Sequence, residues 1–167
     1  MSQRRVDLFL SPDYSADLAG KSVDELRSMK ADCDEVETEL SYVRRLAQGR
    51  MDILDAERDR RASGGSIGDL VAALPRILAD ATPPRPGPAQ ARMTSIMAPS
   101  PDISWTRGLE SLISDDTLAR LPDLSDEELE ASRQQLRELE AGVSETRAHL
   151  HEVIDRVETE LGNRLSS

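Results

Sequence analysis

Apolar positions recur along two stretches of the chain at alternating steps of three and four residues. The first series is Leu26, Met29, Cys33, Val36, Leu40, Val43, Ala47, Arg50 and Leu54. The second series is Leu129, Ser132, Leu136, Leu139, Val143, Thr146, Leu150, Val153 and Val157. Apart from a few polar intrusions, this is the heptad spacing of a coiled-coil seam. It predicts two long helices, each of which buries one narrow face.

Both predicted helices begin at a capping-box sequence. Ser22 is followed three residues later by Glu25, and Ser125 is followed three residues later by Glu128. In this motif the serine and the carboxylate satisfy each other's backbone N–H groups. The first helix should end near Arg61, because a Ser-Gly-Gly sequence follows it.

These signals divide the chain into four segments: an N-terminal arm (1–21), a first coiled-coil helix (22–62), a connecting segment (63–124) and a second coiled-coil helix (125–163). The connecting segment is far longer than closing a helical hairpin requires. It holds two predicted short helices, SIGDLVAALPRILAD and ISWTRGLESLI, around the Pro-rich stretch ATPPRPGPAQAR. Pro75 predicts a kink or break in the first of them. The predicted fold is all-α: an antiparallel two-helix coiled-coil hairpin with short extra helices in a long connecting segment. A dimer of chains remains an alternative.

Composition supports a thin helical protein. Aromatic residues make up only 2% of the chain, which excludes a thick globular core. The net charge of −11 disfavours direct binding of duplex DNA and favours a basic protein partner. The single cysteine, Cys33, falls in the seam and is expected to be a buried thiol. With no long apolar run and no clean signal peptide, the sequence predicts a cytoplasmic protein without a membrane span.

A second, polar row lies beside each seam. In the first helix it is Glu37, Ser41, Arg44, Gln48 and Asp52, and an offset of 103 residues carries it onto Glu140, Ser144, Arg147, His151 and Asp155. An antiparallel pairing would place both rows on one face. One register would set Glu37 opposite Arg147 and Arg44 opposite Glu140.

Two interpretations of the rows follow from their chemistry. The Glu and Arg residues could form interhelical salt bridges on a solvated charged face. Alternatively, the arginine fork suits guanine O6 and N7 or a phosphate, and a carboxylate accepts from guanine N–H groups. An enzyme is disfavoured, because His149 and His151 point to different helix faces and no HExxH, CxxC or P-loop motif is present.

The repeated pattern E-x3-S-x2-R-x3-[QH]-x3-D resembles the cyclic di-GMP-binding signature of the RsiG anti-sigma factors of actinobacteria. The first copy fits at all five positions and the second at four, since His151 stands where the signature has Gln.

The resemblance implies an antiparallel coiled coil that binds a dimer of cyclic di-GMP, two molecules per chain, on one face. Such a protein sequesters a WhiG-type sigma factor of the FliA class and represses sporulation genes. By analogy, Arg44, Arg147, Asp52 and Asp155 would make the main contacts, and the other six motif residues would assist. The chain would be a monomer before it binds the sigma factor. The alternative is a coiled-coil adaptor or scaffold that binds its partner independently of nucleotide.

Overall fold

The computed structural model of the chain describes residues 2–80 and 120–166. Its elements in order are α1 (Ser2–Phe9), the 3-10 helix η1 (Pro12–Ser15), α2 (Val23–Ser63), α3 (Ile67–Asp80), the 3-10 helix η2 (Leu121–Asp123) and α4 (Asp126–Leu165). All regular elements in these residues are helical, which confirms the all-α prediction.

The two capping boxes form as predicted and set where α2 and α4 begin. The Ser22 N–H donates to Glu25 Oε2 at 2.7 Å, and the Glu25 N–H donates to Ser22 Oγ at 3.3 Å. At α4 the Ser125 N–H donates to Glu128 Oε2 at 2.8 Å, with the return bond from Glu128 at 3.1 Å. Each box satisfies backbone donors that the first helical turn would otherwise leave unpaired.

The C-terminal end of α2 is a Schellman motif. Gly64 has a φ of 69°, in the left-handed region where a residue without Cβ is favoured. Its N–H donates to the Arg61 carbonyl at 3.2 Å, and the Gly65 N–H donates to the Arg60 carbonyl at 3.0 Å. The predicted Ser-Gly-Gly stop is therefore correct, and the helix ends at Ser63.

The chain forms two compact units, and both long helices contribute to each. Of the described residues, the first unit contains 2–43 and 141–166, and the second contains 44–80 and 120–140.

In the first unit, the N-terminal half of α2 packs against the C-terminal part of α4. Lys30 Nζ lies 3.2 Å from Glu158 Oε1, and Arg147 Nε lies 2.7 Å from Glu37 Oε1. The residue number rises on one helix as it falls on the other, so the two helices run antiparallel here. The buried seam of this unit comprises Leu26, Cys33, Val36, Leu40, Val43, Val143, Leu150, Val153 and Val157.

Within the first unit, the N-terminal arm contacts both long helices. Phe9 is buried, and its ring centroid lies 4.9 Å from that of Tyr14. The Tyr14 hydroxyl oxygen lies 4.0 Å from Cys33 Sγ, and Arg156 Nη1 donates to Ser15 Oγ at 3.3 Å. Cys33 is fully buried, as its seam position predicts, and burial raises the pKa of its thiol.

In the second unit, the C-terminal half of α2 packs against the start of α4. Arg133 Nε lies 2.5 Å from Asp55 Oδ1, and Gln48 Nε2 donates to Glu140 Oε1 at 3.1 Å. The order of these pairs again shows antiparallel helices. The buried apolar residues are Ala47, Ile53, Leu54, Leu70, Leu121, Leu129, Leu136 and Leu139.

Helix α3 begins at a third capping box, which the sequence reasoning missed. The Ser66 N–H donates to Asp69 Oδ2 at 2.8 Å, and the Asp69 N–H donates to Ser66 Oγ at 3.3 Å. The helix continues through Pro75, so the predicted break is wrong, and the alternative, a kink, stays a prediction. Proline removes the bond to the carbonyl of Val71, whose side chain is 59% exposed, so water can reach this turn. The predicted Pro-rich linker and the second short helix lie outside the described residues.

Within the described ranges, no helix is both long and apolar enough to cross a membrane.

Candidate ligand-binding site

Four motif residues meet in the first unit and form what we call the Glu37 cluster: Glu37, Ser41, Arg147 and His151. Glu37 Oε1 accepts a hydrogen bond from Arg147 Nε at 2.7 Å and another from Ser41 Oγ at 2.9 Å. His151 Nε2 lies 3.3 Å from the same oxygen. One half-buried carboxylate therefore holds an arginine and an imidazole of the other helix.

Three motif residues meet in the second unit and form the Glu140 cluster: Glu140, Arg44 and Gln48. Gln48 Nε2 donates to Glu140 Oε1 at 3.1 Å, and Arg44 Nη1 lies 3.8 Å from that oxygen. Arg44 Nε is buried and has no hydrogen-bond partner among the described residues.

The two clusters are equivalent under the 103-residue repeat. Glu37 corresponds to Glu140, Arg147 to Arg44, and His151 to Gln48. The predicted Glu37–Arg147 and Arg44–Glu140 pairings are therefore confirmed. His151 faces Glu37 as Gln48 faces Glu140. Each cluster takes its glutamate from one motif copy and its arginine from the other, so neither copy forms a cluster alone.

The remaining motif residues lie on the same two helices outside these hydrogen bonds. Asp52 and Asp155 have exposed side chains, in the second and first unit respectively, and Ser144 is half-buried in the first. The hydrogen bonds and ion pairs given above join seven of the ten predicted site residues. The ligand-binding role of all ten stays a prediction.

The charge state of Glu37 follows from its neighbours. Burial alone would raise the pKa of Glu37, but hydrogen bonds from Arg147, Ser41 and His151 outweigh it and lower the pKa below its ordinary value of 4.5. At neutral pH the cluster therefore contains an ionised carboxylate against a guanidinium. Among the described residues, the hydrogen bond of Arg147 to Glu37 uses Nε and leaves its two terminal nitrogens outside that bond.

A second kind of Glu–Arg contact, missed by the sequence reasoning, closes the C-terminal end of α2. Glu57 has no exposed surface; Arg61 Nε donates to its Oε1 at 2.7 Å, and Arg61 Nη2 donates to the Leu121 carbonyl at 3.0 Å. We call these three groups the Glu57 clamp. Arg60 also donates to Glu57, at 2.6 Å and 2.8 Å.

The same arrangement occurs at the end of α4. Arg164 Nε donates to Glu160 Oε1 at 2.7 Å, and Arg164 Nη2 donates to the Ala19 carbonyl. Glu160 and Arg164 lie 103 residues after Glu57 and Arg61, so the repeat extends beyond the ligand motif. The signal was present in the sequence, because Glu57 follows Leu54 by one seam step of three.

A comparison with known proteins finds a match to the part of the chain that contains the first motif copy. A family model described as RsiG-like matches residues 12–78, which contain the whole first motif copy. No curated protein matches the chain. Residues 12–78 are therefore similar to the RsiG-like family, in agreement with the resemblance inferred from the first motif copy.

Proposed function

We propose that this protein is a cyclic di-GMP-responsive anti-sigma factor of the cytoplasm. It binds two molecules of cyclic di-GMP through the Glu37 and Glu140 clusters and the aspartates beside them. In this loaded form it sequesters a WhiG-type sigma factor and so represses sporulation genes. The RsiG-like match supports the anti-sigma role in general, and the ligand and the specific partner are the finer part of the proposal.

The observation that supports cyclic di-GMP as the ligand is the pair of equivalent clusters. Each offers an arginine whose guanidinium is only partly engaged among the described residues, a carboxylate, and a further hydrogen-bonding side chain, Gln48 or His151. A two-fold ligand with two guanines and two phosphates requires this set twice, because each guanine presents N–H donors to a carboxylate and O6 and N7 to an arginine. Net charge of −11 makes such local arginines necessary for holding an anion.

The partner is supported by charge. A chain of net charge −11 is attracted to a basic, DNA-binding sigma factor, and opposite fields speed the encounter of two proteins. The same charge opposes a direct contact of this chain with DNA.

Isothermal titration with cyclic di-GMP tests the ligand. We expect two molecules per chain, and we expect Arg44→Ala and Arg147→Ala each to abolish binding. Arg58→Ala is the matched control, because it removes the same charge from an exposed residue that pairs only locally with Asp55 and Asp59. If the protein does not bind the nucleotide, or if binding survives both motif changes, the proposed ligand site is wrong.

A second candidate function has one observation in its favour. The Glu37–Arg147 contact at 2.7 Å also has the geometry of an ordinary interhelical ion pair. On that interpretation the chain is a coiled-coil adaptor. Capture of the sigma factor would then be the same with and without cyclic di-GMP, and would be unaffected by Arg44→Ala or Arg147→Ala. Capture that requires the nucleotide excludes the adaptor.

A further inference from the structure

The two clusters are equally exposed but differ in how their arginines are held. The side chains of Arg147 and Glu37 are 29% and 22% exposed, and those of Arg44 and Glu140 are 31% and 23% exposed. Access to solvent therefore does not distinguish them. The distances do: 2.7 Å from Arg147 Nε to Glu37, against 3.8 Å from Arg44 Nη1 to Glu140.

The atom that makes each contact decides what is left for a ligand. Arg147 is anchored through Nε, so its two terminal nitrogens form a fork whose orientation is already fixed. Arg44 instead turns a terminal nitrogen toward Glu140, at a distance too long for a hydrogen bond. Its buried Nε has no hydrogen-bond partner among the described residues, so the side chain must rearrange before all its donors are satisfied.

A side chain that is already held in its bound orientation loses less conformational freedom on binding than one that must first be ordered. His151 adds to this difference, because its Nε2 lies 3.3 Å from Glu37 Oε1, the oxygen that anchors Arg147. In the other cluster the Gln48 amide donates to Glu140 Oε1 at 3.1 Å, and Arg44 Nη1 lies farther from that oxygen, at 3.8 Å.

We propose that the two clusters are unequal half-sites: the Glu37 cluster takes the first cyclic di-GMP molecule, and the Glu140 cluster takes the second. Glu37 is a positioning residue in this scheme, since it orients Arg147 from behind. The inference rests on the proposed ligand and adds the order in which the halves are filled.

Each cluster contains its own reporter for a nuclear magnetic resonance titration of the full chain. The His151 ring signals report the Glu37 cluster, and only His149 shares that spectral region, so His149→Gln assigns them. The side-chain amide of Gln48 reports the Glu140 cluster and is assigned by its loss in Gln48→Glu. With cyclic di-GMP added below one equivalent, we expect the His151 signals to shift first. Simultaneous shifts, or an earlier shift of Gln48, overturn the proposed order.

Matched variants test the positioning role. We expect Glu37→Ala to weaken the first binding step about tenfold, the scale of one charge-assisted hydrogen bond. Glu140→Ala should weaken that step by a smaller factor. Circular dichroism establishes that both variants fold. Equal losses, or a larger loss in Glu140→Ala, contradict the positioning role.

The failure of this inference can be distinguished from a failure of the proposed function. If calorimetry detects two bound nucleotides but the reporters move together, only the order is wrong. If calorimetry detects no binding, the ligand itself is wrong and the order falls with it.

Discussion

The Glu37 cluster and the Glu57 clamp are built from the same residue types but differ in what they leave unsatisfied. In the clamp, the three nitrogens of the Arg61 guanidinium donate to Glu57, to the Leu121 carbonyl and, at 2.7 Å, to Asp126. In the Glu37 cluster, the contact of Arg147 with Glu37 among the described residues uses Nε. The clamp therefore behaves as a closed structural joint, and the cluster is open to a further partner.

A Glu–Arg pair alone therefore does not indicate a binding site. What separates the two cases is the destination of the remaining guanidinium nitrogens. Backbone carbonyls are permanent acceptors that fix the polypeptide path, as at Leu121. Guanidinium nitrogens that face solvent can donate hydrogen bonds to a ligand without breaking a protein contact.

The largest expected difference is between the effects of substituting Arg147 and Arg61 on ligand binding. Arg147→Ala should weaken cyclic di-GMP binding by at least about 100-fold, because it removes a fork that can contact two ligand atoms at once. Arg61→Ala should change binding by less than about threefold, since its nitrogens serve the protein. Calorimetry on folded samples measures both. A comparable loss in Arg61→Ala would mean that the closed and open pairs are not functionally distinct.

The contrast should reverse for stability. Glu57→Gln should lower the free energy of unfolding by about 3 kcal/mol, because it weakens a fully buried carboxylate between two arginines. Glu37→Gln should cost about 1 kcal/mol, since its pair is partly exposed. Urea unfolding followed by circular dichroism gives both values. If the two costs are equal, Glu37 is as structural as Glu57.

The stabilising contributions of the Glu57 and Glu37 carboxylates should be lost at acidic pH. Hydrogen bonds from Arg60 and Arg61 outweigh the effect of burial and lower the pKa of Glu57 below its ordinary value of 4.5. The pKa of Glu37 is also lowered. A depressed folded-state pKa means that this stability is present above the unfolded pKa and is lost as pH falls through the folded one.

The free energy of unfolding of the wild type should therefore decrease below about pH 4.5. The decrease should be shallower in Glu57→Gln and in Glu37→Gln than in the wild type, because each variant lacks one of these carboxylates. Urea titrations at a series of acidic pH values measure the slopes. Identical slopes in wild type and Glu57→Gln would show that Glu57 does not contribute.

The smallest expected effect concerns Ser41. Its hydroxyl donates to Glu37 Oε1 at 2.9 Å, so Ser41→Ala removes one of the groups that orient this carboxylate. We expect a loss of about 0.5 kcal/mol in stability and roughly threefold in binding, the low end for a partly exposed hydrogen bond. Unfolding and calorimetry on the same sample check it. A loss as large as that of Arg147→Ala would make Ser41 a direct ligand contact.

The sequence was informative where the controlling interactions are local or repeated. Ser22 and Ser125 each need only a glutamate three residues away, so both helix starts were predictable. The register of the helices was predictable because the polar row occurs twice. Only one antiparallel alignment satisfies both Glu37–Arg147 and Arg44–Glu140.

The sequence was misleading where arginines of the same helix, together with one distant carbonyl, compensate an unfavourable residue. Glu57 occupies a seam position, yet a carboxylate there looks like the end of the buried face. Its burial depends on arginines that the helix itself supplies three and four residues later. The Leu121 carbonyl that completes the clamp lies 60 residues away in the chain, and no local pattern announces it.

The cross-helix composition of the clusters has a genetic consequence. For the stability of the helix pair, a substitution of Glu37 should be suppressed by changes at Arg147, 110 residues away, as well as by changes within its own motif copy, where Ser41 donates to the same carboxylate. For Gln48 the corresponding suppressor position is Glu140, at a separation of 92 residues. Variation in this protein should therefore accumulate as distant pairs, so that the repeated sequences diverge while each pairing is preserved.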